Sequence, residues 1–131
     1  MLTLDSSALV SVLCHGEGSE WALPAMEAAP GLAIGAPTLS RANDLMLERL
    51  DLLGGPLLSH FLQRAEIAVI AFDERHRRAA ASASVRFGAG RHPAALDSED
   101  CRTYATARLT GSAVLAVGRR FSLTDLPIAA E

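Results

Sequence analysis

At 131 residues and 50% hydrophobic content, the chain suits one domain with a substantial core and is too short for two independently stable ones. No run approaches the roughly 18 uninterrupted apolar residues of a membrane span, and Asp5 stands where a secretory leader would be basic. The expectation is a soluble, unprocessed, cytoplasmic protein without membrane contact. A net charge of −3 gives no global pull on nucleic acid. Its distribution is nevertheless uneven: residues 1–63 hold seven acids and two arginines, residues 64–120 six acids and ten arginines, and lysine is absent. An arginine-rich half suits phosphate contacts and solvated helix faces equally well.

Taken in order, Leu2, Thr3 and Leu4 predict a short buried strand that runs into Asp5, and Ser6 and Ser7 can cap an apolar helix over 8–13. A second helix is expected over 17–28, stopped by Pro30 and Gly31, with a buried strand over 32–34. Pro37 and Thr38 open a long amphipathic stretch to about residue 53, which Gly54, Gly55 and Pro56 should break before a helix over 57–64. Residues 67–72 form the clearest strand pattern, and Asp73 caps an alanine-rich helix reaching Arg86. A glycine-rich loop over 87–95 precedes a helix over 97–109, ended by Gly111, and 113–117 is expected as a final central strand. Strands alternating with helices argue for a parallel α/β sandwich, whose ligands sit at the carboxyl ends of the strands.

Cys14 and Cys101 lie far apart without CxxC spacing and are expected as reduced thiols, while His15, His60, His76 and His92 contain no pair spaced for zinc. Asp5 after a buried strand is compatible with a helix cap, a salt-bridge partner or a magnesium ligand. Asp97, Glu99 and Asp100 in a first helical turn also complement the helix dipole. Taken singly, neither group identifies a function.

Four segments together are more informative: LDSSAL, IAVIAFDERH, FGAGRHPAALDSEDCRTYATA and GRRFSLTDL. Their order and context resemble the PIN-domain proteins of the VapC toxin family, with its hydrophobic-Asp-Ser/Thr-Ser-Ala-Leu start and its Phe-Asp-x-x-His segment. The family also carries a Phe-Gly-x-Gly-x-His block leading to Asp-Cys, and a Gly-Asp-Asp-Phe-x-x-Thr-Asp-Ile ending. The resemblance covers nearly the whole chain and implies a single PIN-like domain over 1–131. The implied architecture is a three-layer α/β/α sandwich around a mainly parallel sheet of about four or five strands. It further implies the toxin of a toxin-antitoxin system: an endoribonuclease, a hydrolase in which acids hold Mg²⁺ or Mn²⁺ to activate water against RNA. RNA, an antitoxin and a second copy of the chain are the implied partners. The homodimer is also suggested by the leucines of 39–64, with Trp21 and Met26, as more apolar surface than one core absorbs.

Residue by residue, Asp5 matches the first acid and Asp100 the third, and these are the expected metal ligands and catalytic residues. Arg41 stands where the family has a glutamate, and Arg119 where it has the fourth acid. The metal is therefore expected to bind weakly. Candidate auxiliary residues are Ser7, which can orient Asp5, together with Asp97, Glu99, Asp125 and, one turn beyond Arg41, Asp44. Two functions stay open: a ribonuclease with an unusual acidic site, and a PIN pseudoenzyme in which Arg41 and Arg119 neutralise Asp5 and Asp100 and the protein acts by binding RNA or an antitoxin. A nucleotide-binding regulator lacks support, since no GxxxxGK or GxGxxG follows a strand.

Overall fold

The structure, a computed structural model, describes residues 1–129. Its first strand is continuously buried instead of alternating, because β1 (Leu2–Leu4) lies inside a parallel sheet covered on both faces. β2 (Leu32–Gly35) pairs with it through Leu2↔Leu32, and β4 (Ala113–Leu115) through Leu4↔Leu115. β3 (Ile67–Ile70) pairs with β2, giving the order β3-β2-β1-β4. Side-chain alternation divides the core. Leu4, Ile34 and Leu115 join Leu9 and Met46 in one buried cluster, and Val114 joins Phe87, Leu96, Tyr104 and Phe121 in another.

The first cluster is built with α1 (Ser6–Leu13), α2 (Ser19–Ala28), α3 (Ala36–Leu50) and α4 (Gly54–Arg64), the second with α5 (Glu74–Phe87) and α6 (Ser98–Thr110). The result is the three-layer α/β/α sandwich expected, with four strands. Gly35 allows close approach of the second layer: a Cβ there would collide with the Thr106 hydroxyl of α6. Cys14 and Cys101 are both free, and no helix of the described residues is long and apolar enough to cross a membrane.

Several local expectations change. α1 begins at Ser6, because Asp5 is itself the cap and accepts from the Ser7 N–H. Gly54, Gly55 and Pro56 form the first turn of α4 and do not break the chain. The interruption is a 3₁₀ turn over Asp51–Leu53, entered through Asp51 at φ 53°. Gly54 packs so tightly on the Met46 carbonyl that no Cβ fits there, and Pro56 falls where a helix has no use for its missing N–H. The clearest sequence strand, β3, is an edge strand with Ala68 and Val69 exposed. β4 is the opposite edge, not a central strand, and it stops at Leu115 since the Val117 N–H turns away to the Ser7 hydroxyl. The stretch after Leu126 covers that edge: Val114 N–H donates to the Pro127 carbonyl, and Ala129 N–H to the Val114 carbonyl.

Candidate functional site

β1 delivers Asp5 to the carboxyl edge of the sheet, where its own N–H donates to the Leu115 carbonyl of the neighbouring strand at 2.9 Å. Only 8% of Asp5 is exposed. Its carboxylate accepts three hydrogen bonds: Oδ2 from the Ser7 N–H (3.1 Å) and the Ser7 hydroxyl (2.6 Å), Oδ1 from the Thr103 hydroxyl (2.8 Å). The Ser7 oxygen in turn accepts from the Val117 N–H at 3.0 Å, so it ties Asp5 to the loop after β4. Thr103 has one hydroxyl proton and gives it to Asp5. The 3.1 Å contact between Thr38 and Thr103 must then run from Thr38 to Thr103.

This buried relay predicts a measurable cost. Thr103→Val keeps the shape, strands the Thr38 hydroxyl and removes a donor from a carboxylate, so chemical denaturation should show a loss of about 2 kcal/mol. An unchanged midpoint would mean that Thr103 does not hold Asp5.

α6 brings the second acid. Its cap is Asp97, which accepts from the Asp100 N–H at 2.8 Å, while Asp100 Oδ2 accepts from the Asp97 N–H at 3.0 Å. Thr103, three residues on from Asp100, shares its helix face. Asp5, Ser7, Asp100, Arg119, Arg120 and Phe121 line one cavity of about 320 Å³. Burial pushes the Asp100 carboxyl above its ordinary range, and the charges of Asp97 and Asp5 add to this; hydrogen bonds from the Asp97 N–H and the Arg120 guanidinium oppose the rise without cancelling it.

The charge partner of Asp100 is Arg120, whose Nη1 lies 2.7 Å from Asp100 Oδ2 and 3.5 Å from Asp97 Oδ2. The motif match points to Arg119, whereas the residue that pairs with Asp100 is its neighbour Arg120. The signal was present, because the Gly-Asp-Asp-Phe pattern has acids at both of these positions and Gly118-Arg119-Arg120-Phe121 replaces both. Arg119 lines the cavity, is exposed, and makes no ion pair among the described residues. Thr103 was also missed, although its spacing from Asp100 pointed to it.

The remaining candidates fall elsewhere. Arg41 is exposed, one turn beyond Thr38, and pairs with neither Asp5 nor Asp100; among the described residues the direct neutralisation expected of Arg41 and Arg119 is made by Arg120, at Asp100. Asp44 is exposed and does not line the cavity. Glu99 turns to Arg102 at 3.1 Å. Asp125, expected near the site, instead clasps the second layer: it accepts from the Tyr104 hydroxyl (2.7 Å) and Arg86 (3.0 Å), with Arg108 at 3.6 Å. Burial alone would raise its carboxyl, but those hydrogen bonds and cations outweigh it and hold it below the ordinary range.

Comparison with known proteins agrees with this geometry. The PIN domain family model matches residues 2–126. The Ribonuclease VapC of Mycolicibacterium smegmatis is 33% identical over 125 residues, 95% of this chain and 97% of that one. Among solved structures, Mycobacterium tuberculosis VapC20, a Sarcin-Ricin loop cleaving toxin, superposes with a TM-score of 0.82 over 100% of both chains at 14% identity, a likeness of fold. A toxin-antitoxin complex from Klebsiella pneumoniae gives a TM-score of 0.74 over 98% of this chain and 97% of that one, again at 14% identity. With a family match across almost its full length and the strand-end acids in place, this chain belongs to the PIN domain family.

Proposed function

We propose that this protein is the VapC-like toxin of a toxin-antitoxin pair, a ribonuclease whose phosphodiester-cleaving site is the cavity of Asp5 and Asp100. The observation that carries this is the convergence of two carboxylates from opposite ends of the chain on one cavity at the carboxyl edge of a parallel sheet. The name of the smegmatis relative supports RNA as the substrate class, and the Klebsiella complex supports an antitoxin as partner. Asp5, fixed by three donors, would take up the proton of an attacking water as the P–O bond to the leaving ribose oxygen breaks, and that oxygen would take a proton from solvent.

The family resemblance brings Mg²⁺ or Mn²⁺ with it, and when bound such an ion would activate water and offset charge on the phosphorane. The donor set does not fit one well. Among the described residues no three His, Cys, Asp or Glu side chains are grouped to hold a metal ion. Asp100 Oδ2 is already filled by Asp97 N–H and Arg120, and two acids with two arginines sum to a formal charge of zero.

The test is to incubate the purified chain with a short labelled single-stranded RNA, with and without Mn²⁺, and to follow the products on a gel. Cleavage by the wild type is the expected result; RNA left intact under every condition would overturn the ribonuclease reading. The Arg120–Asp100 contact favours a second reading, a PIN protein that binds RNA or an antitoxin without cutting, which predicts RNA retained and intact.

Self-association is proposed on separate grounds. Met26 turns out to be core, but Leu47, Leu52, Leu53, Leu57 and Val69 are exposed. Light scattering at high micromolar concentration should give twice the chain mass, and a strict monomer would remove the dimer from the account.

A further inference from the structure

Resting on the RNA reading of this site, we propose that Arg120 takes the place of the divalent cation and that Arg119 receives an RNA phosphate, so the cavity engages RNA without metal. Arg120 Nη1 bridges Asp100 Oδ2 at 2.7 Å and Asp97 Oδ2 at 3.5 Å, which is the work of a counter-ion shared between carboxylates. A dication on Asp100 Oδ2 would have to displace that guanidinium, and one on Oδ1 would still face Arg120 and Arg119 across the same cavity.

The two adjacent arginines have different surroundings. The chain turns at Gly118, with φ 107°, and beyond it Arg120 closes onto the start of α6 while Arg119 lines the cavity with no acid bound to it among the described residues. Its guanidinium fork is therefore available. The fork matches the geometry of a phosphate oxygen pair, and Asp5, only 8% exposed on the same cavity, is held among the described residues by the neutral donors of Ser7 and Thr103. A phosphate on Arg119 would bring the scissile linkage into the cavity that Asp5 lines.

Two titrations test this, both on the full chain after thermal melts have established that each variant folds. In the first, MnCl₂ alone is titrated calorimetrically. The wild type should show no saturable binding below the millimolar range that marks weak sites with few charged ligands, roughly 10⁻³ M. Arg120→Ala should bind Mn²⁺ at least about tenfold more tightly, and adding Asp5→Asn should abolish the gain. Arg120→Gln serves the same purpose should the alanine variant not fold, and the wild-type titration needs no variant at all.

In the second, a short fluorescein-labelled single-stranded RNA is followed by anisotropy in EDTA. The wild type should bind, and Arg119→Ala should weaken binding by about tenfold and reduce the slope of log affinity against log salt by roughly 0.7. Tight Mn²⁺ binding by the wild type, RNA binding that requires Mn²⁺, or an Arg119→Ala variant with unchanged affinity would each overturn the inference while leaving the ribonuclease proposal standing. RNA bound neither in EDTA nor in Mn²⁺ would overturn the proposed function itself.

Discussion

Asp5→Asn should leave the protein folded and cut RNA cleavage by at least about a hundredfold, the lower range for losing a positioned proton acceptor. The substitution conserves shape. Its remaining oxygen can keep the two Ser7 donors, and its new amide can donate to the Thr103 oxygen, whose hydroxyl is free to rotate. Removing a buried charge balances the loss of charge-assisted bonds, so the melting curve should move little. Asp5→Ala is different, because it deletes the cap of α1 as well and should cost about 1 kcal/mol on that account alone. The pair of variants therefore separates the capping role of Asp5 from its role in cleavage. Full cleavage by a folded Asp5→Asn protein would place the chemistry elsewhere, whereas loss of cleavage with unchanged anisotropy would assign Asp5 to the reaction and not to RNA capture.

Where burial and pattern agree, the fold was legible. Leu2-Thr3-Leu4 followed by Asp5 reads as a covered strand with an acid at its end because nothing in three residues competes with that interpretation. The same holds for Asp73, a cap accepting the N–H of the third helical residue, whereas Asp97, expected in the first turn of its helix, is the cap that precedes it. Sheet order was not legible, since it depends on contacts between strands that local pattern does not encode. Residues 67–70 are the most strand-like in composition and lie at an edge, while the three residues of β1 lie inside. The glycines at 54 and 55 show the same limit: intrinsic propensity reads them as a break, and close packing of Gly54 on the Met46 carbonyl makes them a helix start.

At the site, the two acids and Ser7 were legible through motif and strand-end position. The arginine arrangement was not, because it turns on side-chain direction in a turn. Arg119 and Arg120 are equivalent by alignment, each standing for an acid, yet only Arg120 bridges Asp97 and Asp100. Asp125 failed for a related reason. Its place in the Thr-Asp-hydrophobic ending suggested proximity to the site, but Tyr104, Arg86 and Arg108 from α5 and α6 claim it, and no pattern in residues 119–126 announces those partners. Arg41 lies one turn past Thr38, close in sequence to the relay that ends on Asp5, and still faces solvent.

Leu4→Ala should be among the most damaging single changes to stability, with a loss of about 3 kcal/mol in the range seen for buried leucines. Leu4 is fully buried, pairs in register with Leu115, and belongs to the cluster that joins the sheet to α1 through α4. Truncation removes three carbons' worth of contact from a site that flanking strands keep from collapsing. Against a typical total of about 5–15 kcal/mol the change is large, and thermal unfolding should fall by roughly 10 °C. Val85→Ala is the control: at 65% exposure it should shift stability by no more than about 0.5 kcal/mol. The effect should also reach the cavity, because Leu4 immediately precedes Asp5, whose N–H is anchored on the Leu115 carbonyl beside it. Cleavage measured well below the lowered melting point should therefore drop in Leu4→Ala and stay unchanged in Val85→Ala. Equal melting points for the two variants would mean that β1 is not the buried strand that sets the position of Asp5.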